Sequence, residues 1–268
     1  MFHTIKQGTL EYLTADALEG SVHCFSTRLG GVSEGVLSAL NLGTHRGDKP
    51  ENVRENYRIL GKAVGFAPEE TVFTRQEHTD LLLRVGRADC GTGLDREQTT
   101  VCDGILTDEP GVALVCFAAD CTPVLLFDPV RQAIAAVHAG WRGTAQGIAY
   151  KAVQRMQEEF GCAPEDIRAA IGPCIGRCCF EVGPEVPHAM REALGADAEA
   201  AIEPRGEKAH VDLKLLNRIW LQKAGVQVID VSPDCTMCHP DRFWSHRVTG
   251  GNRGSQAAII RLKGGAPA

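Results

Sequence analysis

The chain lacks several features that would assign a protein to a class at once. It has no apolar run near the roughly 18 residues of a membrane span, and the segment 1–8 lacks the apolar core of a secretory signal peptide. It also lacks low-complexity tracts and any excess of basic residues, because its formal net charge is −6. These absences predict a cytoplasmic protein without a membrane partner, and they argue against nucleic acid as an obligate partner.

What the chain does have in number is cysteine, with 11 among 268 residues. Cytoplasmic thiols stay reduced, so these side chains are expected to be buried, catalytic or metal-binding rather than paired in disulfides. The odd number also excludes a framework in which every cysteine is paired. The hydrophobic fraction of 44% allows one sizeable core, and the lack of a linker predicts a single domain over residues 1–268.

Strands and helices are mixed along the chain without strict alternation. Continuous apolar runs at 112–118, 123–127 and 133–137 predict strands that are covered on both faces. Further strands are predicted at 22–26, 71–76, 167–171, 226–231 and 257–262. Helical spacing and capping residues predict helices from Pro50 to Gly65, from Gly143 to Gly161 and from Asp212 to Gly225. The pattern favours an α+β fold with layered sheets over a regular doubly wound one.

Three short segments place reactive side chains where apolar runs end. Segments 76–78, 119–121 and 138–143 supply His78, Cys121 and His138. Two imidazoles and one thiol match the three protein ligands of a catalytic zinc, which keeps a fourth position open. Asp120 would then be a neighbouring acceptor or a general base. Buried structural cysteines and hydrogen-bonded histidines are the more common alternative, and Cys121 with His138 is also a nucleophile–base pair typical of thiol hydrolases.

Two arginines are candidates for holding a small anion. Arg142 follows Gly140 at the start of a predicted helix, where free N–H groups and a guanidinium suit an anion. Arg28, in the glycine-bearing loop 27–33, could converge with it. Taken alone, each is more often an ordinary surface arginine. Neither loop matches a Walker or dinucleotide fingerprint, so no classical nucleotide fold is predicted.

The remaining cysteine motifs are predicted to be structural. Residues 235–239 match the C-x-x-C-H pattern of haem attachment, but that attachment belongs to exported proteins. A structural zinc there would need further ligands, and His246 is the only obvious candidate. Cys178 and Cys179 are adjacent, and adjacent cysteines rarely bind one metal together. Segment 172–179 is therefore predicted to be a tight turn, with Cys174 lining the site.

In their order along the chain, the motifs resemble the YfiH, or laccase-domain, family. Its members are also called multicopper polyphenol oxidases, purine nucleoside phosphorylases and peptidoglycan editing factors. The matching segments run through nearly the whole chain and are 27–33, 41–43, 47–48, 76–78, 119–126, 138–143, 171–175, 180–183 and 243–247.

The resemblance implies a single domain with a layered α/β/β/α arrangement and mixed sheets. It also implies one zinc ion per chain, with copper as the alternative, held by His78, Cys121 and His138. The catalytic residues that it implies are Asp120, Cys121 and His138. Contacts to substrate or phosphate are assigned to Arg28, Asn41, Arg142, Cys174 and Arg247.

The activity that the resemblance implies is phosphorolysis of adenosine, inosine, guanosine or methylthioadenosine to the base and ribose 1-phosphate, with deamination of adenosine. The alternatives are a thiol hydrolase acting on amides such as cell-wall precursors, a copper-dependent polyphenol oxidase, and a metal-binding protein without activity. A single His₂Cys set fits one metal rather than the several coppers of a multicopper oxidase. The predicted partners are purine nucleosides and phosphate, and the predicted state is a monomer or small homo-oligomer.

The chain departs from the family pattern at several positions next to these motifs. Thr79 replaces a glycine, Phe180 and His246 replace tyrosines, and Val248 and Ser255 replace arginines. The three metal ligands are kept, so the departures bear on substrate preference.

Overall fold

Two six-stranded mixed sheets form the centre of the fold in a computed structural model that describes residues 1–264. The strands are β1 (Phe2–Gln7), β2 (Leu10–Ala15), β3 (Ser21–Ser26), β4 (Thr71–Val72), β5 (Leu82–Arg84), β6 (Gly104–Thr107), β7 (Ala113–Ala118), β8 (Thr122–Asp128), β9 (Ala133–Ala139), β10 (Arg168–Ile171), β11 (Glu181–Val182), β12 (Ile202–Arg205), β13 (Lys208–Val211), β14 (Val228–Val231) and β15 (Gln256–Leu262). The helices are α1 (Pro50–Val64), α2 (Trp141–Ala145), α3 (Ile148–Phe160), α4 (Glu185–Leu194), α5 (Leu213–Lys223) and α6 (His246–Thr249).

The first sheet has the strand order β1-β2-β3-β15-β7-β4, and the second has the order β14-β10-β8-β9-β6-β5. Their facing sides bury apolar side chains such as Phe25, Leu114, Leu125 and Phe127 between them. The outer side of the first sheet packs on α1, and that of the second packs on α3 and α5. This gives the predicted α/β/β/α layering. A third sheet, β11-β13-β12, packs with α4 beside these layers.

The helix α1 shows how local sequence and packing agree. Pro50 occupies its first turn, and Gly65 ends it with a φ of 108°, a backbone conformation that glycine adopts without steric cost. Val53, Tyr57 and Leu60 form its buried face against the first sheet. Asp212 likewise caps α5 as predicted, because its carboxylate accepts a hydrogen bond from the Leu215 N–H.

Several predicted boundaries were wrong. The strand predicted at 71–76 ends after Val72, and the residues that follow form the loop that carries His78. The strand predicted at 133–137 continues to Ala139, so His138 lies inside β9 rather than after it. The β1–β2 hairpin and the small third sheet had no sequence prediction, because these strands are short or have little apolar alternation.

No helix among the described residues is long and apolar enough to cross a membrane. Residues 265–268 of the predicted domain lie outside the described residues.

Candidate active site

Strand register brings the predicted reactive residues together. In the β8–β9 pair Pro123 lies opposite His138, so Cys121, which immediately precedes β8, lies at the same sheet edge as His138. The strand β6 pairs with the other side of β9, with Gly104 opposite Val137. Asp103, which immediately precedes β6, therefore reaches the same edge. Three neighbouring strands thus place a thiol, an imidazole and a carboxylate side by side.

His78 completes this group from the loop after β4. Its backbone has a φ of 63°, a left-handed conformation that is uncommon outside glycine. His78 Nε2 lies 3.6 Å from Cys121 Sγ, and the rings of His78 and His138 pack edge to face with centroids 4.9 Å apart. The ligand atoms of the three residues all lie within 4.8 Å of one another. Two imidazoles and a thiol at this spacing fit a single zinc or copper ion.

Asp103 supports two of the three candidate ligands, and the sequence analysis missed it. Its Oδ1 lies 2.7 Å from His138 Nδ1 and also accepts the His78 backbone N–H at 3.0 Å. Its Oδ2 accepts hydrogen bonds from the backbone N–H groups of Glu77 and Thr79 and from the Thr79 hydroxyl. When a histidine binds a metal through one ring nitrogen, a carboxylate hydrogen-bonded to the other ring nitrogen fixes the ring orientation and the tautomer. Asp103 therefore leaves His138 Nε2 as the ligand atom and holds the His78 loop beside it.

The charges of this group are strongly coupled. Burial opposes ionisation of Cys121, but the neighbouring His138 and His78 outweigh it and lower the pKa of the thiol to about 6. Burial also disfavours the charged imidazole, yet the Cys121 and Asp103 anions raise the pKa of His138 to about 9. Burial alone would raise the pKa of Asp103, but hydrogen bonds from His138 and Thr79 lower it to about 2. Without a metal, Cys121 and His138 thus form a thiolate–imidazolium pair near neutral pH.

Gly140 leaves room for this group. A Cβ at this position would lie 2.5 Å from His78 Cδ2 and 3.4 Å from Cys121 Sγ. No side chain fits there without moving His78 or Cys121, which explains why residue 140 is a glycine.

We expect Gly140→Ala to lower metal affinity by about 10- to 100-fold, the range seen when the surroundings of metal ligands are disturbed. Gly143→Ala is the matched control, because its Cβ would meet Thr79 O at 3.2 Å and no ligand side chain. Competition with a chelator measures both affinities. Equal affinity for the two variants would show that the space at Gly140 is not needed by the ligands.

His78, Cys121 and His138 open into a cavity of about 270 Å³. Its wall includes the half-buried ring of Phe117, which packs edge to face on Phe73 with centroids 5.0 Å apart. Three arginines, Arg46, Arg75 and Arg253, also line it. The cavity therefore combines metal ligands, an aromatic surface and positive charge.

Arg46 and Arg253 converge on one hydroxyl. Arg46 Nε and Arg253 Nη1 each donate to Ser255 Oγ at 3.2 Å. Burial and then the charge of Arg46 lower the pKa of Arg253 to about 10, and Arg253 Nε is buried without a hydrogen-bond partner among the described residues. Two adjacent cations with a spare buried donor favour an anion between them and the ligand group.

The two arginines predicted from the sequence are placed elsewhere. Arg28 donates to Pro240 O and Ser38 O at 2.8 Å each and lies over the ring of the buried Trp244. Arg142 lies over the Trp141 ring, in a shallow depression between α2 and α4. Neither lines the cavity at the three ligands, and the structure does not bring them together at one site.

Asp120 is held by three donors. Its backbone has a φ of 82°, and its carboxylate accepts hydrogen bonds from the Thr236 hydroxyl at 2.6 Å, the Ser245 hydroxyl at 3.1 Å and the Arg247 N–H at 2.7 Å. These contacts fix the turn that presents Cys121. The sequence suggested Asp120 as a neighbouring acceptor, but the carboxylate that contacts His138 is that of Asp103.

The other predicted contact residues surround the site at different depths. Asn41 is fully buried, and its Oδ1 accepts the N–H groups of Gly43 and Ser255 at 3.0 Å each, so it shapes the cavity wall from behind. Cys174 is fully buried, with its thiol directed to Ile175 O, and it does not line the cavity. Arg247 is exposed and donates from Nη1 to Glu181 O.

A second cysteine group brings together two motifs that the sequence analysis treated separately. Cys178 and Cys179 lie beside Cys235 and Cys238, with all four Sγ atoms within 4.8 Å of one another. His246, the extra ligand considered from the sequence, is not part of this group. The C-x-x-C motif instead lies beside the adjacent pair, about 60 residues earlier in the chain.

Known proteins share this sequence and fold. A sequence model of the multi-copper polyphenol oxidoreductase laccase family matches residues 22–263. The chain is 38% identical over 251 residues to the purine nucleoside phosphorylase YlmD of Geobacillus stearothermophilus, covering 92% of each protein. It is 34% identical over 267 residues to the human purine nucleoside phosphorylase LACC1, covering 96% of this chain and 59% of that protein. The chain thus spans about three-fifths of the length of the human relative.

The crystal structure of the Bacillus licheniformis hypothetical protein YfiH matches the fold with a TM-score of 0.92 and 33% identity, over 97% of this chain and 99% of that one. The predicted α+β fold class is therefore confirmed.

Proposed function

This chain belongs to the multi-copper polyphenol oxidoreductase laccase family, and we propose that it is a metal-dependent purine nucleoside phosphorylase. The observation that carries the proposal is one cavity that joins the His78, Cys121 and His138 ligands to the Arg46 and Arg253 pair. A metal centre and a cationic pair in one cavity suit a reaction between a neutral nucleoside and an anion. Adenosine, inosine, guanosine and methylthioadenosine are the proposed nucleosides, and deamination of adenosine is a proposed side activity.

His78, Cys121 and His138 would hold a zinc ion. When bound, zinc supplies a Lewis acid that polarises an oxygen atom of a ligand in the cavity. Asp103 keeps His138 in the tautomer that leaves Nε2 free for the metal. Its four contacts to the backbone and hydroxyl of residues 77–79 also hold His78 in place.

The arginine pair would bind and aim phosphate. In phosphorolysis a phosphate oxygen forms a bond to C1′ of the ribose, and the bond from C1′ to the purine N9 breaks with its electron pair going to the base. Arg46 and Arg253 would neutralise the phosphate and fix its direction, a positioning effect that is large when two reactants are held in line. The ring of Phe117 offers an apolar surface against which a purine would stack.

We expect Arg253→Met and Arg46→Met each to raise the KM for phosphate by about 10-fold or more, since a charge-assisted contact contributes about 1.5–3 kcal/mol. Arg142→Met, outside the cavity, is the matched control and should leave this KM unchanged. Steady-state kinetics at varied phosphate concentration measures this KM for all three variants. If the KM for phosphate rose in Arg142→Met and stayed unchanged in the other two variants, phosphate would bind at the start of α2 instead.

Products from adenosine test the proposal directly. The metal-analysed protein is incubated with adenosine, with and without phosphate, and the products are separated. Adenine that forms only with phosphate supports the phosphorylase, whereas inosine that forms without phosphate makes deamination the main reaction. The absence of any product from the zinc-loaded protein would contradict both activities.

The second candidate is a thiol hydrolase acting on amides. The low pKa of Cys121, about 6, favours it, because the thiolate is the nucleophilic form. Two inhibitors separate the candidates. A thiol hydrolase would lose activity on alkylation and keep it in a chelator, whereas the metalloenzyme should lose activity with both treatments.

A further inference from the structure

The four cysteines that meet outside the cavity form a compact sulfur group. Cys238 Sγ lies 3.6 Å from Cys178 Sγ and 3.4 Å from Cys179 Sγ. A tetrahedral zinc ion with Zn–S bonds of about 2.3 Å holds its sulfurs about 3.8 Å apart. The observed separations are close to that value and well above the roughly 2 Å of a disulfide bond. The four thiols are free, so their sulfurs are available as ligands.

We propose that Cys178, Cys179, Cys235 and Cys238 form a structural zinc site. Four thiolates complete a tetrahedral shell, so this site has no open position for a substrate and differs in kind from the three-ligand centre. Cys235 is buried, Cys179 is half-buried, and Cys178 and Cys238 are exposed. A metal ion can therefore reach the sulfurs from solvent.

The backbone around the sulfurs is arranged for close approach of two loops. Cys174 and Cys235 form a parallel β-bridge that joins the loops. A Cβ at Gly176 would lie 3.1 Å from Cys178 Sγ and 3.2 Å from Cys235 Cβ, so glycine permits the contact. The Gly176 N–H donates to Cys235 Sγ at 3.1 Å. An N–H directed at a sulfur stabilises the thiolate that a metal requires.

The same two loops support the turn before Cys121. The Ile175 N–H donates to Asp120 O at 3.0 Å, and the Thr236 hydroxyl donates to Asp120 Oδ1 at 2.6 Å. Ile175 precedes the adjacent cysteine pair, and Thr236 lies between Cys235 and Cys238. Zinc at the sulfur group would therefore clamp the two loops that hold Asp120 and would act as a positioning element for the neighbouring catalytic centre.

Zinc counting tests the proposal without depending on activity. The wild type, Cys178→Ser and Cys238→Ser are purified under reducing conditions, with Cys90→Ser as the matched control for a half-buried thiol outside both groups. Each cluster variant should hold one zinc ion fewer per chain than the wild type, whereas Cys90→Ser should hold the same number. Equal zinc content in the cluster variants and the wild type would overturn the proposal. A disulfide bond between two of the four cysteines in wild-type protein purified under reducing conditions would also overturn it.

Cobalt substitution gives a second readout on a chain that keeps all four cysteines. Cys121→Ser removes a ligand of the three-residue centre and leaves the sulfur group intact. Loaded with cobalt(II), this variant should show the strong thiolate-to-cobalt charge-transfer absorption of a four-sulfur site, and adding Cys238→Ser should remove most of it. Absence of that absorption in folded Cys121→Ser would also overturn the proposal.

Discussion

Cys121→Ser should lower phosphate-dependent cleavage of a purine nucleoside by about 1,000-fold or more, because a catalytic metal contributes several kcal/mol to the barrier. The serine hydroxyl is a poor zinc ligand at neutral pH, whereas the pKa of Cys121 is already lowered to about 6 by its histidine neighbours. The zinc of the three-residue centre should be lost together with turnover. The measurement is initial rate and zinc content on the same purified sample.

Cys90→Ser is the control for this substitution, because Cys90 is half-buried and belongs to neither metal-binding group. It should retain wild-type turnover and zinc. If Cys121→Ser lost its zinc but kept its rate, the metal would have no part in the reaction. Loss of rate with full zinc retention would favour Cys121 as a nucleophile rather than a ligand.

Asp103→Asn should have the next largest effect, because one carboxylate supports two ligands. The amide cannot accept all the hydrogen bonds that Asp103 receives from His138 and the residues 77–79. We expect metal affinity to fall by about 10- to 100-fold. We also expect the metal-free protein to lose about 3 kcal/mol of unfolding free energy, since a buried charge partner is removed. Chelator competition and urea unfolding measure the two effects.

The stability difference between wild type and Asp103→Asn should depend on pH. The folded pKa of Asp103 is lowered to about 2, below its ordinary value of 3.8, so the stabilisation from the ionised form is present above about pH 4 and is lost as pH falls towards 2. A shift of this size corresponds to about 2 kcal/mol. Asp108→Asn, which changes a more exposed ion pair with Arg84, is the control. A pH-independent difference would show that Asp103 acts through shape alone.

The sequence singled out Cys121 and His138 because each follows or ends an apolar run, and the family resemblance implied the set of three candidate ligands. In a β-hairpin the start of the first strand lies beside the end of the second strand. Cys121, just before β8, and His138, near the end of β9, are therefore neighbours by register. The apolar runs predicted layered sheets in an α+β fold, and the family resemblance implied the α/β/β/α order of the layers. His78 was found by its residue type and not by its element, because the strand predicted before it ends at Val72.

The residues that sequence analysis missed depend on contacts between distant segments. Asp103 precedes the short strand β6, and its role appears only when β6 pairs with β9. Arg46 and Arg253 lie in separate loops and meet through Ser255. An acidic residue just before a buried run was the one local signal for Asp103. No local pattern distinguishes these two arginines from Arg28 and Arg142, which also lie in glycine-bearing segments.

The cysteine group shows the same limit. The C-x-x-C pair was visible in the sequence, but its partners lie about 60 residues earlier. The strands of the third sheet and two helices separate the two pairs along the chain. The bridge between Cys174 and Cys235 brings the loops together. Only the tertiary fold makes an adjacent cysteine pair part of the group.

Ribose 1-phosphate formed from inosine and phosphate, followed by phosphorus NMR in metal-free and zinc-restored protein, tests the central claim most directly. The cavity's combination of His78, Cys121 and His138 with the arginine pair predicts no product from the chelator-treated, folded protein and recovery of product as zinc is restored. Full ribose 1-phosphate formation by protein shown to contain no metal would contradict the account.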